Sequence, residues 1–220
     1  MRRLMRSRTF EERQSVVNPE LDGLASRCRG AMLRHSATAQ TLGDDSDNAL
    51  PRAYKSILDE LHQHDDMFGV PGRDWSIVGF SFWKYPAGSR LGWHNDVAPG
   101  RRGEFILFLH EQWKASWAGE LLLLDADPET INCDVSKMSP LEAVEERVGV
   151  ASTCLTAIVP KPNRLVFVEE GTIHSIQRVD QSAGSAVRET MTGFVAASRR
   201  RESAKDDGKL ERLVSMFYAR

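Results

Sequence analysis

The stretch Trp93-His94-Asn95-Asp96 decides how the rest of the chain is read, because it sets an imidazole and a carboxylate two positions apart beside an indole ring. On an extended strand residues i and i+2 share a face, so both side chains would be offered to one point. Such a pair, completed by a distant histidine, forms a two-histidine, one-carboxylate set that leaves positions of a divalent metal open, as at non-heme iron centres. His174, which follows the apolar run Leu165-Val166-Phe167-Val168, is the candidate third donor. Taken alone, His94 and Asp96 fit a polar surface strand just as well, so the surrounding sequence has to carry the distinction.

Aromatic and β-branched alternation broken by Gly/Pro turns surrounds the motif. It predicts strands over 75–85, 90–97, 104–109, 118–124, 157–160, 164–168, 173–179 and 187–195, with a Pro86-Ala87-Gly88-Ser89 turn just ahead of the metal pair. Glu104-Phe105-Ile106-Leu107-Phe108-Leu109 is almost continuously apolar, as in a strand buried on both faces, and His110 follows it. Residues 125–157 form a long insertion, with a short helix expected over 140–147. It reads either as a lid or substrate-selecting loop or as a decoration.

Outside this β region the spacing turns helical. Asn18-Pro19-Glu20 supplies an N-cap, a proline and an acidic first turn, and Leu21, Leu24, Ala25, Cys28, Ala31 and Met32 recur at helical intervals, so a helix is predicted over 19–35. A polar loop follows over 36–48, then a helix from Pro51 that fades at His62-Gln63-His64-Asp65-Asp66. Leu210, Leu213, Val214 and Phe217 predict a C-terminal helix. The expected organisation is one domain over 1–220, with an N-terminal helical part (1–72), a β core (73–197) carrying the insertion, and a C-terminal helix (198–220). His62 and His64 are the rival metal pair. On a helix, positions two apart diverge by about 200°, so they read as a solvated helix end.

At 220 residues with 41% hydrophobic and 27% charged content, the composition is that of an ordinary globular protein with no membrane-spanning run. A net charge of −2 gives no field that draws nucleic acid. The basic start Met1–Arg8 lacks an apolar h-region and reads as a solvated arm; Arg199-Arg200-Arg201 reads as a solvated loop. Cys28, Cys133 and Cys154 are widely spaced and odd in number, which suggests neither disulfides nor structural zinc and fits a reducing cytoplasm.

Between Phe80 and Phe194 the sequence resembles the Fe(II)- and 2-oxoglutarate-dependent oxygenases, particularly the prolyl 4-hydroxylase-like branch. The matching text is Tyr85-Pro86-Ala87-Gly88, Trp93-His94-Asn95-Asp96, Ile106-Leu107-Phe108-Leu109, Gly119-Glu120-Leu121, Pro162-Asn163-Arg164-Leu165-Val166-Phe167, His174-Ser175 and Arg188. The resemblance implies a mainly β fold with flanking helices, a double-stranded β-helix or jelly-roll barrel, holding Fe(II) on His94, Asp96 and His174. It also implies 2-oxoglutarate and dioxygen as co-substrates, with ascorbate as a candidate reductant. Arg188, 14 positions after His174, matches the family's arginine for the distal carboxylate, a role that suits a planar guanidinium. Tyr85 and Thr190 are its candidate partners, though either also reads as an ordinary strand residue.

The presence of Asp96 separates the chain from related halogenases, which carry a small residue there, and favours hydroxylation, desaturation or ring formation. The nucleic-acid demethylase branch adds a second arginine six positions after the first, where this chain has Phe194. Trp83, Trp93, Trp113, Trp117 and Arg101 are candidate substrate contacts, expected around the mouth; Glu104 and Arg102 are candidate contacts for a charged substrate. The substrate expected is a small amino-acid-like or specialised-metabolite molecule, with no nucleic-acid or membrane partner. A protein-directed prolyl or peptidyl hydroxylase, a cupin-like metalloenzyme without 2-oxoglutarate, and a β-barrel binding module stay open as alternatives.

Overall fold

A computed structural model describes residues 1–36, 49–125, 137–151 and 153–197. In chain order the elements are α1 (Arg2–Arg6), β1 (Glu11–Gln14), β2 (Leu24–Arg34), α2 (Ala49–Leu61), α3 (Asp65–Phe68), β3 (Ile77–Tyr85), β4 (Leu91–His94), β5 (Arg101–Phe108), β6 (Leu121–Asp125), α4 (Pro140–Val150), β7 (Thr153–Ile158), β8 (Leu165–Glu169), β9 (His174–Ile176) and β10 (Arg188–Ala196). Two antiparallel sheets form, one ordered β1-β2-β3-β10-β5-β8 and the other β4-β9-β6-β7. This is a mainly β architecture, as the alternation predicts, and it has the two-sheet form of the double-stranded β-helix that the resemblance implies.

The period-2 pattern sorts side chains between two cores. In the large sheet Val78, Phe80, Phe82, Phe105, Met191 and Val195 pack with α2, whose Tyr54, Ile57, Leu58 and Leu61 are buried at helical spacing. Each such fully buried aliphatic or phenylalanine side chain contributes about 1.5–3 kcal/mol. The alternate β5 residues Ile106 and Phe108 face the other way and meet Leu121 and Val168, so β5 is indeed buried on both faces. Gly193 makes the crowding possible: a Cβ there would lie 2.2 Å from Phe105 Cε1 and 2.7 Å from the Gly79 carbonyl oxygen.

The first 35 residues depart from the sequence reading. The Asn18-Pro19 signal forms a single turn, with the Leu21 and Asp22 amides donating to the Asn18 carbonyl, and Leu24–Arg34 is then a strand, not the second half of a helix. Its spacing fits either period, and pairing with β3 from Ser26↔Lys84 to Arg34↔Ile77 decides the outcome. Arg27 locks that pairing by donating to Ser81 Oγ at 2.9 Å and lying over the Trp83 ring. The N-terminal arm is likewise not solvated throughout, because Met5 of α1 is fully buried in the core under α2.

The insertion is shorter than expected. β7 starts at Thr153 and pairs with β6 along its length, so residues 153–157 belong to the sheet and not to the insertion. Within it α4 begins at a capping box, Ser139 with Glu142, and lies against β4. The predicted C-terminal helix, Arg199–Arg201, Cys133 and most of the 36–48 loop lie outside the described residues.

Candidate active site

Three polar side chains converge between the sheets. His94 ends β4, His174 opens β9, and the two are register partners in one antiparallel pair, so their rings meet at 4.3 Å between centroids. Asp96 follows the strand end. The ligand atoms of His94, Asp96 and His174 all lie within 4.8 Å of one another, with Asp96 Oδ2 3.7 Å from His94 Nε2 and 3.6 Å from His174 Nε2.

Neighbouring backbone fixes each ring. His94 Nδ1–H donates to the Gly92 carbonyl at 2.8 Å, and His174 Nδ1–H donates to the Thr172 carbonyl at 2.9 Å. A carbonyl only accepts, so both protons belong on Nδ1 and both Nε2 lone pairs face inward, the tautomer a metal ligand needs. Arg101 does the same for the carboxylate: Nη1 donates to Asp96 Oδ1 at 3.1 Å and to the Asp96 carbonyl, while the guanidinium stacks 3.6 Å above the Phe194 ring.

The electrostatics show a site that attracts positive charge. Burial alone would raise the Asp96 carboxyl, but the two imidazoles hold it well below the usual carboxylate range. Burial alone would lower His174, yet its contacts with Asp96 and Glu104 push it up to about 10.

Arg188, at the head of β10, lies opposite Tyr85 of β3. It is 1% exposed. Nε donates to the Gly119 carbonyl at 2.8 Å, but neither terminal nitrogen has a hydrogen-bond partner. Burial lowers the guanidinium to about 10. Its carbon lies 4.9 Å from the Phe108 ring centroid and 5.6 Å from that of Tyr85. Burial pushes the Tyr85 hydroxyl up, so it stays a neutral donor. Gly119, at φ +75°, is packed so closely that a Cβ would be 3.3 Å from Arg188 Cδ and from Trp113. Thr190 is buried one strand step further along the same face.

The other expected contacts fall differently. Trp83, Trp113 and Trp117 share one cluster with Tyr85 and Val179, so they gather beside the Arg188 end. Trp113 Nε1 donates to the Ala118 carbonyl. Trp93 is half-buried in β4, next to His94. His62 and His64 stay out of the donor cluster and contact the Trp75 and Phe167 rings. A cleft of ≈ 390 Å³ is lined by Arg90, Ala118 and residues 177–181 and shares no residue with the donors. Its arginines are committed, Arg90 to Asp22 and Arg178 to the Gly88 and Leu21 carbonyls.

One residue with a part in the site carried no sequence signal. Asp22, fully buried, accepts from the Gly92 amide at 3.1 Å and from Arg90 Nε at 3.0 Å. It thereby pins β4 at the residue whose carbonyl orients His94.

The donor set and the buried cation together suit a metal and an anionic co-substrate, and comparison with known proteins agrees. The fold resembles that of a Pseudomonas putida prolyl-4-hydroxylase (15% identity, 90% of this chain and 82% of that one, TM-score 0.54). It also resembles a Trichoplax adhaerens prolyl hydroxylase in complex with a hypoxia inducible factor peptide fragment (17%, 88% and 73%, TM-score 0.53). HygX from Streptomyces hygroscopicus, with nickel and 2-oxoglutarate bound, is a third (9%, 93% and 82%, TM-score 0.54). No curated protein sequence matches the chain. Among the described residues no helix is long and apolar enough to cross a membrane. The profile of the 2OG-Fe(II) oxygenase superfamily matches residues 80–196, and the chain belongs to that superfamily, whose chemistry uses Fe(II), 2-oxoglutarate and dioxygen.

Proposed function

We propose that this chain is a hydroxylase that couples oxidative decarboxylation of 2-oxoglutarate to oxidation of a C–H bond in a small amino-acid-like or specialised-metabolite substrate. His94, Asp96 and His174 hold Fe(II), and Arg188 holds the distal carboxylate of 2-oxoglutarate. The observation that carries this reading is the Arg188 guanidinium, buried with both terminal nitrogens unpartnered in the same barrel as the three donors. A buried charge without a counter-charge is costly, and a carboxylate gripped by two parallel hydrogen bonds would relieve that cost. A metalloenzyme without a keto-acid co-substrate has no use for a guanidinium at that depth. A binding module with structural histidines has no use for converging donors.

When bound, the iron and 2-oxoglutarate supply the oxidising chemistry; the chain contributes placement. The Gly92 and Thr172 carbonyls keep the Nε2 lone pairs inward, and Arg101 holds one oxygen of Asp96 so that the other faces the two rings. Tyr85 and Thr190 flank Arg188 and offer neutral hydroxyls to the same carboxylate. Phe108 and the tryptophans around Tyr85 exclude water from that end. The carboxylate of Asp96 supports hydroxylation or a related oxidation over halogenation.

A screen that follows succinate release with Fe(II), 2-oxoglutarate and ascorbate tests the reading. Candidate amino acids and small metabolites should raise release above the substrate-free rate. No turnover of 2-oxoglutarate under any condition would count against it. A peptidyl substrate is the second reading, supported by the peptide bound to the Trichoplax adhaerens neighbour of the same fold; proline-containing peptides belong in the same screen.

A further inference from the structure

A second arginine stands on the inner face of the large sheet, committed neither to the metal donors nor to the co-substrate. Arg27 of β2 pairs with Trp83 of β3, and Trp83 pairs with Thr190 of β10. On one side of that row lies the Arg188–Tyr85 pair. On the other, two steps further along β10, lies Phe194, over which Arg101 stacks as it holds Asp96. Arg27 is therefore rooted between the level of the carboxylate anchor and the level of the donors. It also faces inward, because Trp83 packs with Tyr85, Ile176 and Val179 between the sheets and the Arg27 guanidinium lies 5.3 Å from the centroid of that ring.

The fold leaves this charge without an acidic partner. Nε and Nη2 of Arg27 both donate to the neutral Ser81 hydroxyl, at 3.2 and 2.9 Å. Among the described residues Nη1 has no hydrogen-bond partner and no carboxylate pairs with the guanidinium; Glu11, the acid nearby, is bonded to Arg13 at 2.5 Å. Burial lowers the guanidinium, Arg29 and Arg13 lower it further, and Glu11 acts the other way. A planar guanidinium held along one edge still offers the N–H groups of its other edge to an anion. The hydroxyls of Thr192 and Thr190, 3.4 Å apart, make the wall between Arg27 and β5 polar as well, where Ile106 and Phe108 of β5 are packed in an apolar cluster.

We propose that Arg27 determines substrate specificity: its guanidinium binds a free carboxylate of the substrate, which is accordingly an amino acid or related small acid with that group unblocked. The inference rests on the 2-oxoglutarate-dependent oxidation proposed above and names the substrate class for it. Arg188 takes the carboxylate of the co-substrate and Arg27 that of the substrate. Ser81 fixes the guanidinium, and Trp83 backs it. An internal residue of a peptide has no backbone carboxylate, so a peptidyl substrate leaves Arg27 without this role.

Succinate release with Fe(II) and 2-oxoglutarate, driven by a panel of L-amino acids and by their matching carboxamides, tests the assignment. In the wild type one or more acids should raise release above the substrate-free rate, with kcat/KM at least about tenfold above that of the amide. Arg27→Gln should lose about 10- to 100-fold in kcat/KM for the acid, chiefly through KM, and little for the amide. Arg27→Lys should recover part of the preference. Amides that serve as well as acids, or an equal loss for both in Arg27→Gln, overturn the proposal, and the wild-type comparison decides it even if the variants do not fold. Turnover of 2-oxoglutarate that no acid stimulates overturns this proposal alone, whereas no turnover under any condition overturns the reading beneath it too.

Discussion

Arg188→Met should make the protein without co-substrate more stable while abolishing its response to 2-oxoglutarate. Burial lowers the guanidinium from its ordinary range above 12 to about 10. At about 1.4 kcal/mol per pH unit, keeping it charged in the fold costs about 3 kcal/mol. Methionine removes that cost and retains an unbranched apolar stem against Phe108, but loses the hydrogen bond to the Gly119 carbonyl, worth about 1 kcal/mol. The net gain is about 2 kcal/mol, or about 4–8 °C in Tm for a chain of this size. Thermal unfolding of metal-loaded protein with and without 2-oxoglutarate reads both effects, since a ligand that binds only the folded state raises Tm. Wild type should start lower and rise with 2-oxoglutarate; the variant should start higher and stay flat. A variant that is less stable at the outset and still rises with 2-oxoglutarate would refute the assignment of Arg188 as an unpaired anion anchor.

Three further outcomes follow from the same geometry. Asp22→Ala removes the acceptor for the Gly92 amide and the partner of Arg90, so it should cost about 3 kcal/mol in denaturant unfolding and weaken Mn(II) binding about 10- to 100-fold; unchanged metal affinity would contradict its role in pinning β4. Gly193→Ala drives a Cβ into Phe105 and the Gly79 carbonyl and should destabilise by at least about 2 kcal/mol, read by the same unfolding. His110 is lowered to about 4, chiefly by burial: as a neutral ring its Nε2–H donates to the Pro160 carbonyl and its Nδ1 accepts from the Glu189 amide. Its folded value lies below its unfolded value near 6.5, so the fold keeps full stability from this residue above pH of about 6.5 and loses it as pH falls toward 4. His110→Asn should flatten the stability–pH curve over that window, and an unaltered slope would contradict the burial argument.

The β core was legible because its signal is local. Alternation in β3 and β10 and the continuous apolarity of β5 follow directly from which faces are covered, and the donors His94, Asp96 and His174 stand beside turns that the glycines and prolines announce. Arg188 was singled out through the resemblance, by its place 14 positions after His174, and the structure shows it buried with both terminal nitrogens unpartnered. β2 was not, because Leu24, Cys28 and Met32 satisfy a helical period as well as a strand's, and only pairing with β3, a long-range contact, chooses between them. Met5 was hidden among arginines that mark solvent exposure while their backbone carries one apolar side chain into the core. Asp22 acts on Gly92 across 70 positions, a distance at which spacing carries no information. Arg101 reads as a substrate contact until its partner, the Asp96 carboxylate, is seen beside it.

The central claim is that one site binds Fe(II) through His94, Asp96 and His174 and 2-oxoglutarate through Arg188. Anaerobic addition of Fe(II) and then 2-oxoglutarate, followed by visible absorption, tests it most directly. The account predicts a weak visible charge-transfer band that appears only when both are present and is lost in His174→Ala; absence of any band with the wild-type protein would contradict it.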